Sequence, residues 1–242
     1  MKYQLAIFDL DGTILDTLED LANSLNYALA AEGYSVRSLE EVRRFVGNGM
    51  LNLVKSALVE PFAQIEKESV EQKIVNVGLE NKEPTEIETI AQKVLEQLKA
   101  HYKIHCADKT KPYEGVISLL QQLKQAGYKL AVVSNKADYA VQILCEQYFA
   151  GIFDIAVGEK EKEGVRKKPA PDAVYYVLEQ FGIAKEAAVY IGDSEVDFMT
   201  AANAKMDAVL VSWGFRDAAF LREAGAKRLA GTMEELKQEL LD

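Results

Sequence analysis

The chain has 242 residues, 49% hydrophobic and 27% charged, the composition of a folded globular protein with nothing set aside for a long disordered tail; its length suits one large domain or a medium core carrying an insert. A formal charge of −10 and a pI near 4.9 argue against broad contact with nucleic acid or an anionic membrane surface. A small anionic substrate remains open, provided that a metal and a few cations make one cleft locally positive.

The N-terminal segment carries one lysine, a short apolar run and then two aspartates, which is no signal peptide. No apolar stretch approaches the roughly 20 residues that cross a bilayer, so the expected compartment is the cytoplasm. Leu5–Phe8 reads as a buried strand, too continuous for a half-exposed one and too short for a helix. It ends in Asp9-Leu10-Asp11-Gly12-Thr13. About a hundred residues of helical periodicity follow, with one stripe at Leu18, Leu21, Ala22, Leu25 and Leu29 and another at Ile87, Ile90, Ala91, Val94, Leu95 and Leu98. Capping boxes are expected at Thr17 with Asp20, at Ser38 with Glu41 and at Thr85 with Glu88. Residues 16–108 are therefore expected to form an all-helical insert between 1–15 and 109–242. His101 and His105 stand one turn apart inside it; without an HExxH pattern or cysteine partners they read as surface or packing residues.

Beyond the insert, Val116, Leu119, Leu120 and Leu123 mark a helix that stops at Gly127. Leu130–Val133, Phe153–Val157, Val189–Ile191 and Ala208–Val211 read as further buried strands, Tyr175, Leu178 and Phe181 mark another helix, and Thr232 with Glu235 opens the last. This alternation predicts an α/β fold, a doubly wound parallel sheet, whose ligands sit beyond the carboxyl ends of the strands. Those ends carry Asp9 and Asp11, then Ser134-Asn135-Lys136, then Gly192-Asp193-Ser194 with Asp197 one turn on. Lys168 precedes Pro169 in a basic run where Arg166 and Lys167 read as solvated neighbours. Carboxylates, a hydroxyl and cations thus converge on one rim. Cys106 and Cys145 lie far apart without CxxC spacing and are expected to be reduced and buried.

The order DxDGT, an apolar strand ending in Ser, Lys before Pro, then GDSxxD resembles the haloacid dehalogenase-like phosphohydrolase superfamily, and the helical insert after the first motif resembles its type-1 cap. Val46-Gly47-Asn48-Gly49-Met50, Pro112-Tyr113-Glu114-Gly115-Val116 and Ser134-Asn135-Lys136 are similar to the phosphoglycolate-phosphatase-like branch. The resemblance implies a Rossmann-like core and a Mg²⁺-dependent phosphatase of small phosphate monoesters acting through a phospho-Asp9 intermediate. It implies that Asp11 is general acid in the first step and general base in the second, and that the metal ligands are the Asp9 and Asp193 carboxylates and the Asp11 carbonyl. It further implies that Ser134, the Asn135 N–H and Lys168 hold the phosphoryl oxygens, that Asp197 orients Lys168, and that the Gly12 and Thr13 amides face the phosphate. A cap of this type closes the cleft over compact substrates and supplies selectivity.

The residue types suit that chemistry. A carboxylate is already ionised at neutral pH, so Asp9 needs no activating base, as a serine would. Asp11, two residues on, faces the same side in an extended backbone, and its proton-transfer roles call for a raised pKa. Hard oxygen donors around a phosphate suit Mg²⁺. Gly47, Asn48 and Gly49 either reach into the cleft or simply turn between helices; Arg43 and Arg44 either meet a substrate carboxylate or stay solvated; Lys136 is divided between substrate contact and surface. Ser134 in place of the usual Thr, and Trp213-Gly214-Phe215-Arg216 after the last strand, depart from the phosphoglycolate phosphatase pattern and leave that substrate a candidate. The alternatives are a phosphosugar mutase, against which Thr13 argues, a pyrophosphatase, and a non-catalytic binding protein. The partner expected is a small phosphorylated metabolite; the oligomeric state is not readable from the sequence.

Overall fold

The computed structural model describes residues 2–59 and 84–241. The chain divides into two compact units, Met1–Leu18 with Lys109–Asp242, and Glu19–Asp108. It enters through β1 (Leu5–Phe8) and the two-residue β2 (Leu15–Asp16), then continues into α1 (Leu18–Ala31), α2 (Leu39–Phe45), α3 (Met50–Val59) and α4 (Pro84–His105). No helix among the described residues is long and apolar enough to cross a membrane.

In the helical unit α1 buries Leu21, Ala22, Leu25 and Leu29, and α4 buries Ala91, Val94, Leu95 and Leu98, one apolar stripe each. Ser38 and Glu41 form the expected reciprocal cap on α2. The box expected at Thr17 does not form: Thr17 follows β2 directly and is wholly buried, and its hydroxyl faces no donor or acceptor among the described residues. The cap expected at Thr85 lies outside the described side chains. Gly47, Asn48 and Gly49 make the turn between α2 and α3, while Arg43 and Arg44 are exposed on α2. His101 stacks between Tyr27 and His105 at 4.2 and 4.3 Å, and its Nδ1 lies 2.9 Å from the Ser24 hydroxyl, so the histidine pair serves packing. Arg37, between α1 and α2, has a buried side chain; its Nε donates to the Ala57 carbonyl at 2.8 Å, Nη2 reaches the same oxygen, and Asn26 brackets its backbone at 2.7 and 2.8 Å.

The other unit continues with β3 (Lys111–Pro112), α5 (Val116–Gln125), β4 (Lys129–Ala137), α6 (Asp138–Phe149), β5 (Ile155–Glu159), α7 (Asp172–Phe181), β6 (Ala188–Gly192), α8 (Glu195–Ala204), β7 (Asp207–Val211), α9 (Ala218–Glu223), β8 (Leu229–Ala230) and α10 (Met233–Leu241). Six strands form a parallel sheet in the order β5-β4-β1-β6-β7-β8. The chain therefore winds outward from β1 in both directions, and the switch point, where ligands sit in such sheets, is the carboxyl end of β1. β2 pairs antiparallel with β3. On one face Leu5, Ile7, Ala131, Val133 and Tyr190 pack against Val174, Val177 and Leu178 of α7 and Ala201 and Ala204 of α8.

Several boundaries differ from the sequence expectation. β5 starts at Ile155, because Phe153 is an aromatic anchor set edge-on against Phe8 and Phe149 at 6.2 and 5.4 Å. α7 buries Leu178 and packs Phe181 against the core as expected, but Val174 and Val177 complete its inner face and Tyr175 stands exposed with its hydroxyl on the Asn203 carbonyl. On α10 the Glu235 N–H reaches the Thr232 hydroxyl at 3.2 Å as expected, while the Glu235 carboxylate takes the Gly231 N–H instead of closing the box. β8 and the β2–β3 ribbon, two residues per strand, fall below what periodicity detects.

Arg37 gives the helical unit a measurable dependence. Arg37→Ala strands the Ala57 carbonyl and empties a buried volume, and is expected to cost about 3 kcal/mol in urea denaturation followed by circular dichroism. A loss below about 1 kcal/mol, the size of an ordinary exposed contact, would contradict this role.

Candidate active site

Three segments of the parallel sheet unit meet at the end of β1. The first is the β1 loop. Asp9 continues the strand, its N–H on the Ile191 carbonyl at 2.8 Å, and its side chain is buried. Gly12 turns the chain with φ +79°, and a Cβ there would lie 2.3 Å from Asp193 Oδ2, so this loop closes on Asp193 only with glycine. The amides of Gly12 and Thr13, expected to face a phosphate, are donated instead to Leu15 and Leu10 carbonyls at 2.8 and 3.4 Å. The turn is tight enough to consume its own donors. The Thr13 hydroxyl reaches Asp193 Oδ1 at 3.2 Å, and Leu10 is core.

The second segment is the Lys168 loop. The Lys168 ammonium is buried, 2.9 Å from Asp9 Oδ1 and 2.7 Å from Asp197 Oδ1. Burial alone would lower the lysine pKa, but Asp197 and Asp9 together hold it well above the usual value. Asn135 fixes this loop: its side-chain amide donates to the Lys168 carbonyl at 3.0 Å and accepts the Lys168 N–H at 2.8 Å. That is a side-chain role in addition to the main-chain one expected of it. Arg166 and Lys167 pair with Asp172 and Glu161 at the surface.

The third segment is the β6–α8 corner. Ser194 and Asp197 form a reciprocal cap on α8, so Asp197 Oδ2 is held by Ser194 while Oδ1 takes Lys168 and the Tyr190 hydroxyl. Both Asp197 oxygens are committed to orienting neighbours. Asp193 Oδ2 accepts the Phe215 N–H at 2.7 Å. The Trp213–Arg216 segment, unexplained by sequence, proves to be the wall of the site: Trp213 Nε1 donates to the Thr13 carbonyl at 3.1 Å, and Arg216 Nε meets Glu195 at 3.1 Å. Gly214 is packed so closely that a Cβ would fall 2.3 Å from both Asp193 Oδ2 and the Gly12 carbonyl.

The carboxylates of Asp9, Asp193 and Asp197 bring one oxygen each within 4.8 Å of the others. Two like charges about 4 Å apart repel by roughly 4 kcal/mol at an effective dielectric of 20. Burial above all raises the Asp9 carboxyl to about 6, against the pull of Lys168 and with repulsion from Asp197 and Asp11 adding to the rise. Burial together with Asp197 and Asp9 pushes Asp193 well above the ordinary range. Asp9 Oδ1 is a buried oxygen that meets the Lys168 ammonium as an ion pair at 2.9 Å but takes no hydrogen bond of good geometry among the described residues. A dense set of hard oxygen donors with one left unsatisfied fits a small divalent cation such as Mg²⁺. Ser134 is buried, its hydroxyl 3.4 Å from the Lys136 N–H, and the Lys136 ammonium grips both oxygens of Asp11 at 2.8 and 3.0 Å. Gly47, Asn48 and Gly49, together with Arg43 and Arg44, belong to the helical unit. Cys106 and Cys145 are buried thiols outside any disulfide, and burial pushes the Cys145 thiol up to about 12.

The chain matches the family model of the haloacid dehalogenase-like hydrolases over residues 6–211. It is 35% identical over 218 residues to a phosphoglycolate phosphatase of Psychrobacter arcticus, covering 89% of this chain and 86% of that one. It is 31% identical over 215 residues to the Agrobacterium fabrum phosphoglycolate phosphatase, covering 88% and 82%. A crystal structure from Lactobacillus delbrueckii subsp. bulgaricus, of a protein suggested to be a phosphoglycolate phosphatase, superposes with a TM-score of 0.86 at 41% identity over 100% of this chain and 99% of that one.

The packing around Gly214 is open to test. Gly214→Ala must displace either Asp193 or the β1 loop, and is expected to weaken binding of Mg²⁺ or Mn²⁺, titrated calorimetrically into chelator-stripped protein, by about 10- to 100-fold. The circular dichroism spectrum should be retained. Unchanged cation affinity in the folded variant would contradict the packing described.

Proposed function

The chain belongs to the haloacid dehalogenase-like hydrolase family, as a phosphoric monoester hydrolase of the phosphoglycolate-phosphatase-like branch, and from that premise we propose that it hydrolyses small phosphate monoesters through a phospho-Asp9 intermediate. The observation that carries this reading is the state of Asp9. It stands at the switch point of the sheet, buried, with one oxygen lacking a hydrogen bond of good geometry among the described residues, beside a buried ammonium and a second carboxylate.

In this reading the Asp9 carboxylate attacks phosphorus. A bond forms between Asp9 and the phosphoryl group, and the bond to the ester oxygen breaks with its electron pair leaving on that oxygen. Asp11 supplies the proton that the departing alkoxide needs; it then takes a proton from water as the water attacks the phosphorus of phospho-Asp9, releasing phosphate and restoring Asp9. The Lys168 ammonium, pinned by Asp197 and by the Asn135 clamp on its backbone, offsets charge on the transferring oxygens. The Ser134 hydroxyl is the further donor proposed for those oxygens. Mg²⁺, held by the Asp9 and Asp193 carboxylates and the Asp11 main-chain carbonyl, would supply charge neutralisation for a dianionic phosphate among carboxylates. Phosphoglycolate, on which the named relatives act, is the first substrate to assay. A cytoplasmic location fits such a metabolite.

Phosphate release from a panel of small phosphorylated metabolites, with Mg²⁺ and with chelator, tests the reading, and Asp9→Asn is its sharpest arm. The amide is near-isosteric but no nucleophile, so turnover should fall to background. The same variant reports the burial of the charge. Because the folded carboxyl titrates at about 6 against an ordinary 3.8, ionisation favours the unfolded chain. The stability associated with the neutral form is complete below about pH 4 and lost as the pH rises through 6. In chelator, Asp9→Asn should therefore melt above the native protein at pH 7, the gap opening between pH 4 and 6. Turnover by Asp9→Asn above a few per cent of native would contradict the assignment, and a lower melting point at pH 7 would contradict the raised pKa.

A further inference from the structure

Lys136 lies just past the apolar run of its strand, where sequence left it between substrate contact and surface. The structure gives it a built position. β4 does not stop at Val133 but runs on to Ala137, and its pairing with β5 steps from Val133 opposite Val157 to Ala137 opposite Glu159. Four steps along β4 are matched by two along β5, so Ser134, Asn135 and Lys136 ride on a bulge. Bulges beside active sites re-aim side chains. Gly158 makes room for this one: a Cβ there would fall 2.4 Å from Asp138 Cα and 2.8 Å from the Lys136 carbonyl. Asp138 Oδ1, at the start of α6 directly after the bulge, then accepts the Gly158 N–H at 2.9 Å and ties that corner to β5.

The side chain so aimed is 1% exposed, and its ammonium lies 2.8 and 3.0 Å from the two oxygens of Asp11. Taking an ammonium out of water carries a penalty of several kcal/mol that only good geometry repays. Here the partner is the side chain proposed to move protons, and it sits on a tight turn whose amides are already consumed. A carboxylate on such a turn has two free torsions and no other support from its own loop. Lys136, fixed by a strand and a bulge, supplies it.

We propose that Lys136 is a positioning residue that sets the orientation of the Asp11 carboxylate toward the leaving-group oxygen, a role that rests on the acid–base reading of Asp11. Misplacing such a group by about 1 Å costs on the order of 10²-fold in rate. In the first step the loss should be felt where the leaving group needs a proton and spared where it does not. A nitrophenyl ester should therefore still give a burst of about one equivalent of nitrophenolate before the slowed hydrolysis of phospho-Asp9. A substrate-contacting lysine would behave differently, raising KM for every ester whatever its leaving group.

The test is a double-mutant cycle of Lys136→Met and Asp11→Asn, with kcat and KM measured on an alkyl phosphate and on 4-nitrophenyl phosphate. Lys136→Met keeps length and apolar stem while removing the charge. It is expected to lower kcat on the alkyl ester by about 10²-fold, to leave KM on both esters within a few-fold, and to spare the first burst of nitrophenolate. In the Asp11→Asn background it should bring no further loss, since the two residues act as one unit. Should Lys136→Met fail to fold, Gly158→Ala retains the charge but must shift the bulge, and is expected to give the same leaving-group pattern in milder form. Losses that add across the cycle, or a rise in KM on both esters at unchanged kcat, would overturn the proposal. Asp11→Asn alone losing both esters equally, with no burst of nitrophenolate, would remove the acid–base reading of Asp11, and this role of Lys136 with it.

Discussion

Crowding of like charge is the constraint on which this molecule turns. Asp9, Asp193 and Asp197 stand with carboxylate oxygens within 4.8 Å, all buried, with Asp11 on the same loop as Asp9. Left alone, such a group would not stay ionised: burial first, and the neighbouring carboxylates after it, raise the pKa values of Asp9 and Asp193. Two lysines relieve it in different places. Lys168 lies between Asp9 and Asp197, and Lys136 closes on Asp11. A divalent cation is what the remaining oxygen donors call for.

The scaffold holds these groups by devices that are mostly backbone. The sheet reverses its direction of winding at β1, which leaves the end of that strand open as a crevice. Gly12 and Gly214 bring two loops against Asp193 at distances no side chain would permit. The Asn135 clamp on Lys168, the Ser194–Asp197 cap and the bulge opposite Gly158 then fix rotamers that would otherwise wander. Charge is oriented before any substrate arrives, which is the condition for electrostatic catalysis.

Much of this was legible in the sequence, because the relevant signals are local. Four-residue apolar runs gave the central strands, 3.6-residue stripes gave α1, α4 and α5, and the strand ends with Asp9, Asp11, Ser134 and Asp193, the Lys168 before Pro169 and Asp197 one turn on were read as one rim. What escaped depends on contacts across the chain. On α7 Leu178 and Phe181 face the core as read, but Tyr175 was misplaced because an aromatic reads as core on its own, while Val174 and Val177 are what the sheet accepts. The extension of β4 through polar Ser134-Asn135-Lys136 has no apolar signature. The partner of Lys136 is 125 residues away. The Trp213–Arg216 wall is set by approach distances to Gly12 and Asp193 that no periodicity encodes.

The proposed mechanism turns on a single chemical event, the bond between Asp9 and phosphorus. The most direct measurement of it is rapid acid quench of the enzyme during turnover of a small phosphate ester. Borohydride reduction and peptide mass spectrometry follow, converting an aspartyl phosphate to homoserine. The account predicts homoserine at position 9 and at no other aspartate, with a yield that follows the burst of leaving group. Turnover without any reduced residue at position 9, or with the label on Asp11 or Asp193, would contradict it.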